Sequence, residues 1–255
     1  MKNLYVITGS SRGIGEAIAK NLADKNNHVI GIARTKNSEL KKLYSQQESR
    51  FDFLEVDLSD VNNLETEIES LFKDKFSENY ESVTLVNNAG LLEPIDQIIN
   101  TKAKDVIKHM NVNLTGLMIL TASFLRHFQD KNIRKEVVSI SSGAAYNPYT
   151  GWGSYCSSKA GSLMFSKVLA EEQSMQKYPA KIVSLAPGVV ETEMQRTIRS
   201  KNENQFPNID KFIELKEKGI LYTTDHVGQT IADEILGNKD ISNGAEIDLR
   251  DYQGG

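Results

Sequence analysis

Short runs of Val, Ile and Leu alternate along the chain with stretches whose apolar residues recur every three to four positions. Residues 4–8, 28–33, 51–57, 83–87, 136–141, 181–186 and 245–249 read as strands. Several are almost continuously apolar, the pattern of strands covered on both faces. Helical spacing runs through 13–24, 61–72, 104–127, 155–176 and 226–236. The alternation of strand and helix predicts a parallel sheet with right-handed crossovers, and so a doubly wound α/β fold. Residues 190–224 break the rhythm, being polar, charged and only weakly helical. A stretch of that length is either a lid over a binding site or a surface excursion.

Composition narrows the class. The 255 residues, 39% hydrophobic and 25% charged, suffice for one domain with a substantial core. No repeat or Pro/Gly linker divides them, so 1–255 is read as a single domain. A net charge of −4 gives no basic footprint for nucleic acid, and the cations are too scattered to mark a membrane surface. The longest apolar stretch, 114–125, is broken by Thr115, Gly116, Thr121 and Ser123 and reads as a buried helix. Cys156 is the one cysteine, which rules out an internal disulfide or a cysteine metal site. His28, His109, His127 and His226 show no metal-ligand spacing, so no metal is expected. With the N-terminus running straight into the strand at 4–8, no signal peptide is expected, and the protein is read as soluble and cytoplasmic.

The chemistry begins after the first strand. Gly9, Ser11, Arg12, Gly13, Ile14 and Gly15 lie in the turn Thr8-Gly9-Ser10-Ser11-Arg12-Gly13-Ile14-Gly15, which opens the first helix. Glycines there permit a tight turn and close backbone approach, and the helix N-terminus offers N–H groups to a pyrophosphate. An ordinary glycine-rich loop is the alternative, and placement in the first βα unit weighs against it. An NAD site needs a carboxylate at the end of the second strand, about 20 residues beyond the glycines, to hold the ribose 2′-OH. Ala33 and Arg34 stand there instead. Arg34 can pair with a 2′-phosphate, with Arg12 as a second cation, so NADP(H) is the expected cofactor.

Tyr155 and Lys159 stand four apart at the start of a helix and so share a face. A neighbouring ammonium lowers a phenol's pKa toward the working range of a general acid. The spacing alone is weak, since surface Tyr/Lys pairs are common. Ser142 follows the fifth strand and Asn87-Asn88-Ala89-Gly90 ends the fourth, both at the carboxyl edge where ligands of such sheets bind. Asn113 is a polar residue within a largely apolar helical stretch, there either to cap a helix segment or to serve the site.

T-G-x-x-x-G-x-G, N-N-A-G, a serine ahead of Y-x-x-x-K, and P-G before a variable segment occur in the order of the short-chain dehydrogenase/reductase family. The chain resembles that family over essentially its whole length. The resemblance implies a Rossmann-type domain with a seven-stranded parallel sheet, order 3-2-1-4-5-6-7, and a catalytic tetrad of Asn113, Ser142, Tyr155 and Lys159. It implies that Pro187, Gly188 and Val190 line the nicotinamide, Thr192 nears the pyrophosphate, Asp57 and Leu58 hold adenine, and Asn88, Ala89 and Gly90 join the cofactor site. It also implies a homodimer or homotetramer packed through the helices around 114–128 and 155–175.

Residues 143–152, 155–161, 187–195 and Ile198-Arg199 further resemble the bacterial benzil reductases that form (S)-benzoin, which are similar to sepiapterin reductases. That resemblance implies reduction of one carbonyl of a vicinal diketone, with Tyr149, Trp152, Met194 and one of Phe206 or Phe212 around the substrate. Core or lid packing is the alternative for each. Two other readings stand beside it. One is reduction of another carbonyl, a pteridine side-chain diketone or a 3-oxoacyl thioester. The other is a non-catalytic NADP(H) sensor, which has little use for four catalytic residues together.

Overall fold

The computed structural model describes residues 2–75 and 80–252. Seven parallel strands form one sheet: β1 (Asn3–Thr8), β2 (Asn27–Ala33), β3 (Arg50–Glu55), β4 (Ser82–Asn87), β5 (Arg134–Ile140), β6 (Ala180–Ala186) and β7 (Ala245–Asp248). Their order is β3-β2-β1-β4-β5-β6-β7, as the family pattern implies. The chain winds outward one way from β1 through β2 and β3, then returns to β4 and winds the other way. The order thus reverses between β1 and β4, and the crevice beyond their carboxyl ends is where such sheets bind ligands. Leu4, Val6, Ile7, Val83, Leu85 and Val86 are wholly buried, which is why these strands carry apolar residues at successive positions.

Helices cover both faces. α1 (Gly13–Asn21), α2 (Ser38–Gln46) and α9 (Thr224–Thr230) lie on one, where Ile18, Leu40, Tyr44 and Val227 pack with Ile7, Val29 and Val183. α3 (Val61–Lys75), α5 (Gly116–Phe128) and α6 (Gly153–Ser174) lie on the other, where Leu64, Phe72, Phe124 and Leu169 pack with Leu4, Val6 and Leu85. α4 (Ala103–Met110) leads into α5 through a widened π turn, Asn111–Thr115. The helical stretch expected over 104–127 thus runs without a gap from Ala103 to Phe128, widened by one π turn around Asn113.

The segment after β6 is neither a loop nor a strand. It forms α7 (Glu193–Arg199) and α8 (Ile209–Glu217), closed by a parallel bridge between Val190 and Tyr222. Its buried Ile198, Phe206, Ile209 and Phe212 pack on Leu92, Ile95, Trp152 and Tyr155, a third apolar cluster beyond the strand ends. Glu191 organises it from below, at 2.9 Å from Arg199 and 3.2 Å from Lys216, and these cations hold its carboxylate below its usual pKa against the opposing effect of burial.

Candidate active site

The glycine turn is shaped by contact with the end of β4. The Asn88 amide donates to Thr8 O at 2.9 Å, and the Thr8 hydroxyl accepts from the backbone N–H groups of Asn88 and Ala89, both at 2.9 Å. This leaves no room at Gly9 or Gly15: a Cβ on either would come within 3.0 Å of Asn88 Nδ2, and Gly9 has φ +66° besides. Arg12 occupies the N-cap of α1 without a side-chain capping bond, so the first-turn N–H groups of Gly13, Ile14 and Gly15 face the crevice uncapped. Thr192 caps α7 across the crevice, and its methyl lies 3.9 Å from the position a Gly13 Cβ would take.

Arg34 follows β2 and is exposed. It stands close enough to Asp57 to act on it. Burial alone would raise the Asp57 carboxyl, but the Ser59 N–H and hydroxyl, Arg34 and Lys108 hold it below its ordinary value. Arg12 differs from expectation. Its guanidinium is engaged by Glu193 of α7, so it ties the glycine turn to the segment over the site instead of standing free as a second cation. Leu58 is buried beside the π turn, its carbonyl 3.0 Å from where a Gly116 Cβ would be.

At the other side of the crevice, Ser142 follows β5 and caps a short turn by accepting from Ala144 N–H at 3.2 Å. Its side chain lies near enough to the Tyr155 phenol, in the first turn of α6, to lower that group's pKa. Lys159 lies one turn on, with Nζ 5.8 Å from the Tyr155 ring centre. That ammonium donates to Ile140 O at 2.7 Å, at the end of β5. Both residues are buried. In the field of the protein's own atoms burial raises the Tyr155 pKa, Ser142 draws it back and Cys156 raises it. Burial brings Lys159 itself down to about 8, because no carboxylate compensates its charge.

Asn113 sits in the π turn with both ends of its amide used. Oδ1 accepts from Leu91 N–H at 2.7 Å and Nδ2 donates to Leu91 O at 2.8 Å, clamping the loop that follows Gly90. Beside it lies His109, wholly buried and joined to Asn113, Ser158 and Glu93. Sequence reasoning considered His109 only as a metal ligand. Its position four residues before Asn113 was the available signal.

Around Tyr155 the aromatic rings close into a box. Trp152 stacks on Phe206 with centres 4.8 Å apart and planes 7° from parallel. Tyr149, Phe212 and Tyr155 lie 4.9, 5.4 and 5.5 Å from Trp152, and Met194 packs against the same cluster. The buried Trp152 Nε1–H has no hydrogen-bond partner among the described residues. Pro187, Gly188 and Val190 run from β6 toward this box, with the Val190–Tyr222 bridge fixing their course.

The sequence profile of the short chain dehydrogenase family matches residues 3–203. The chain belongs to that family. It is accordingly an oxidoreductase of CH–OH and C=O groups, using a nicotinamide dinucleotide. It is 43% identical to a benzil reductase ((S)-benzoin forming) of Bacillus cereus, over 89% of this chain and 91% of that one. It is 31% identical to the sepiapterin reductase of Bos taurus, over 98% of this chain and 95% of the other. The crystal structure of the KRED1-Pglu enzyme superposes with a TM-score of 0.80 at 32% identity, covering 96% of this dehydrogenase and all of that chain. The residues present fit the dinucleotide. An uncapped helix start, a glycine cradle that a Cβ would fill, a cation after β2 and hydroxyl, phenol and ammonium groups after β5 line one crevice.

Proposed function

We propose that this dehydrogenase is a cytoplasmic, NADPH-dependent carbonyl reductase that reduces one carbonyl of a vicinal diketone such as benzil to an (S)-α-hydroxyketone. The observation that carries the reading is the aromatic box beside the phenol, with one buried N–H in it that has no partner among the described residues. Aryl groups suit its ring faces. The Trp152 N–H suits an oxygen acceptor, and a buried donor without one is disfavoured by about 1–3 kcal/mol. The likeness to a benzil reductase supports the same substrate class. The likeness to a sepiapterin reductase favours, as second reading, a diketone on a pteridine side chain.

In this reading Gly9, Ser11, Gly13, Ile14, Gly15 and Thr192 hold the pyrophosphate, Arg34 pairs with the 2′-phosphate, and Arg12 ties the glycine turn to Glu193. Asp57, Leu58, Asn88, Ala89 and Gly90 hold the adenosine half, and Pro187, Gly188 and Val190 the nicotinamide. The dinucleotide supplies a hydride to the carbonyl carbon when bound. Ser142 donates to the carbonyl oxygen and orients it, and Tyr155 transfers its phenolic proton to that oxygen. Lys159 stabilises the phenolate left behind and returns a proton to it, and Asn113 holds the turn from which that relay is fed. Residues 190–224 act as the lid, and Tyr149, Trp152 and Met194 contact substrate. Exposed Met118, Met164, Val168 and Met175 along α5 and α6 support a homodimer or homotetramer packed through these helices.

The test is loss of nicotinamide absorbance with benzil, in wild type and Tyr155→Phe, with NADPH and NADH compared. Turnover that requires NADPH and vanishes in Tyr155→Phe is the expected result. Tight NADPH binding without turnover of benzil refutes the substrate, and equal rates with NADH refute the role of Arg34.

A further inference from the structure

We propose that His109 is a positioning residue of the reaction centre, a neutral imidazole whose lone pair orients the Asn113 amide and locks α6 to the loop after β4. His109 is wholly buried near the end of α4. Its Nδ1 lies 2.8 Å from Glu93 O. A carbonyl only accepts, so Nδ1 carries the proton and Nε2 is the acceptor. Asn113 Nδ2 and Ser158 Oγ both lie 3.0 Å from Nε2. The Asn113 amide divides its two N–H groups between Leu91 O and this lone pair. Ser158, one residue before Lys159, has a single hydroxyl proton to place between Nε2 and Tyr155 O, the latter at 2.9 Å. The edge of the His109 ring meets the Tyr155 ring at 84°, with centres 6.1 Å apart. One imidazole therefore joins the loop at Leu91 and Glu93, the π turn and the catalytic face of α6.

The arrangement favours one protonation state, since Ser158 Oγ is the one neighbour placed to accept from a protonated Nε2. An added proton on Nε2 would face the Asn113 N–H, donor against donor, and the amide would have to turn away from Leu91. Burial already disfavours that proton, and of the groups around the ring Lys159 of α6 adds repulsion, while the bond to Glu93 O works the other way. Tyr155, Ser158 and Asn113 face the ring uncharged, and the Glu93 carboxylate is paired with Lys201 at 3.1 Å. The net effect holds the His109 pKa below its usual 6.5. Acidification below that point thus acts on the proton-relay geometry through a residue that touches no substrate.

The inference rests on the reductase chemistry of the site but not on its substrate. It is tested with benzil, or with whichever of a pteridine diketone or a 3-oxoacyl thioester turns over if benzil does not. Wild type, His109→Gln and His109→Leu are compared in kcat and KM across pH, and the His109 ring nitrogens are followed by 15N NMR in the wild-type protein. The ring is expected to stay neutral with the proton on Nδ1 to below pH 6.5, and kcat to fall on the acid side as it titrates. Gln places a carbonyl oxygen near the Nε2 position and has no proton to gain. His109→Gln is therefore expected to keep most of the neutral-pH kcat and to lose the acid fall. His109→Leu is expected to lose about tenfold to a hundredfold in kcat with the KM for NADPH little changed. A ring that titrates at its usual value or carries its proton on Nε2 overturns the proposal. So does an acid limb unchanged in His109→Gln. These NMR outcomes decide the matter even if the Leu variant does not fold.

Discussion

Lys159→Met separates what the lysine does for the fold from what it does for the reaction. The ammonium is buried with one recorded hydrogen bond, to Ile140 O, and no carboxylate beside it. Its fall from 10.5 to about 8 corresponds, at about 1.4 kcal/mol for each tenfold change in proton affinity, to about 3 kcal/mol of native-state destabilisation at pH 7. Met keeps the stem's volume and removes the charge, at the loss of one hydrogen bond to Ile140 O worth about 1 kcal/mol. The variant should therefore be about 2 kcal/mol more stable, or about 4–8 °C higher in Tm, and inactive. The pH dependence follows from the same numbers. Below about pH 8 the lysine is protonated in both folded and unfolded chains, and its unfavourable contribution is constant. Between about 8 and 10.5 the unfolded chain holds a proton that the folded one has lost, so this group makes stability rise with pH. Calorimetry of both proteins without added nucleotide, at neutral and alkaline pH, reads both effects. A variant that melts at or below wild type at pH 7, or that keeps the wild-type slope above pH 8, would refute the reasoning.

Two further substitutions probe the cofactor side. Thr8→Val removes the acceptor of Ala89 N–H, whereas Asn88 N–H retains Val86 O at 3.1 Å. One partly buried donor is thus orphaned, and urea denaturation should show a loss of about 1–2 kcal/mol that Thr8→Ser restores. A Thr8→Val variant as stable as wild type, or a loss confined to Thr8→Ser, would remove the hydroxyl from this role. Arg34→Glu should weaken NADPH binding by about tenfold to a hundredfold, the worth of a charge-assisted contact, and shift preference toward NADH. An unchanged ratio of the two KM values would remove Arg34 from cofactor selection.

The strands were legible because burial on both faces writes them as apolar runs, and their ends fall within about two residues of those expected. α2 was not, because only Leu40 and Tyr44 of its nine residues are buried and the rest is polar. α7 and α8 escaped for a different reason. Phe206 and Phe212 are held by Trp152, and Glu191 gathers Arg199 and Lys216, contacts that no local periodicity reports. The π turn was hidden because one extra residue per turn barely alters apolar spacing. Gly116 was its trace, packed against Leu58 O and Asn111 O. Within the site, spacing brought Tyr155 and Lys159 to one face, but where Nζ points depends on Ile140, nineteen residues away. His109 was invisible because its partners Glu93 and Ser158 lie 16 and 49 residues distant.

The Val190–Tyr222 bridge has a consequence for how such an enzyme diversifies. Tyr222 N–H donates to Val189 O at 3.0 Å and Glu191 N–H to Tyr222 O at 2.9 Å, so the two ends of the intervening stretch are neighbours. A segment that leaves and re-enters at nearly one point can be exchanged for another of different length with little change in chain-closure entropy. The exchange would leave the register of the seven strands untouched while replacing Phe206 and Phe212, two of the five rings of the aromatic enclosure. Under the proposed reading, selectivity then rides on a graftable cassette and proton chemistry on the permanent frame.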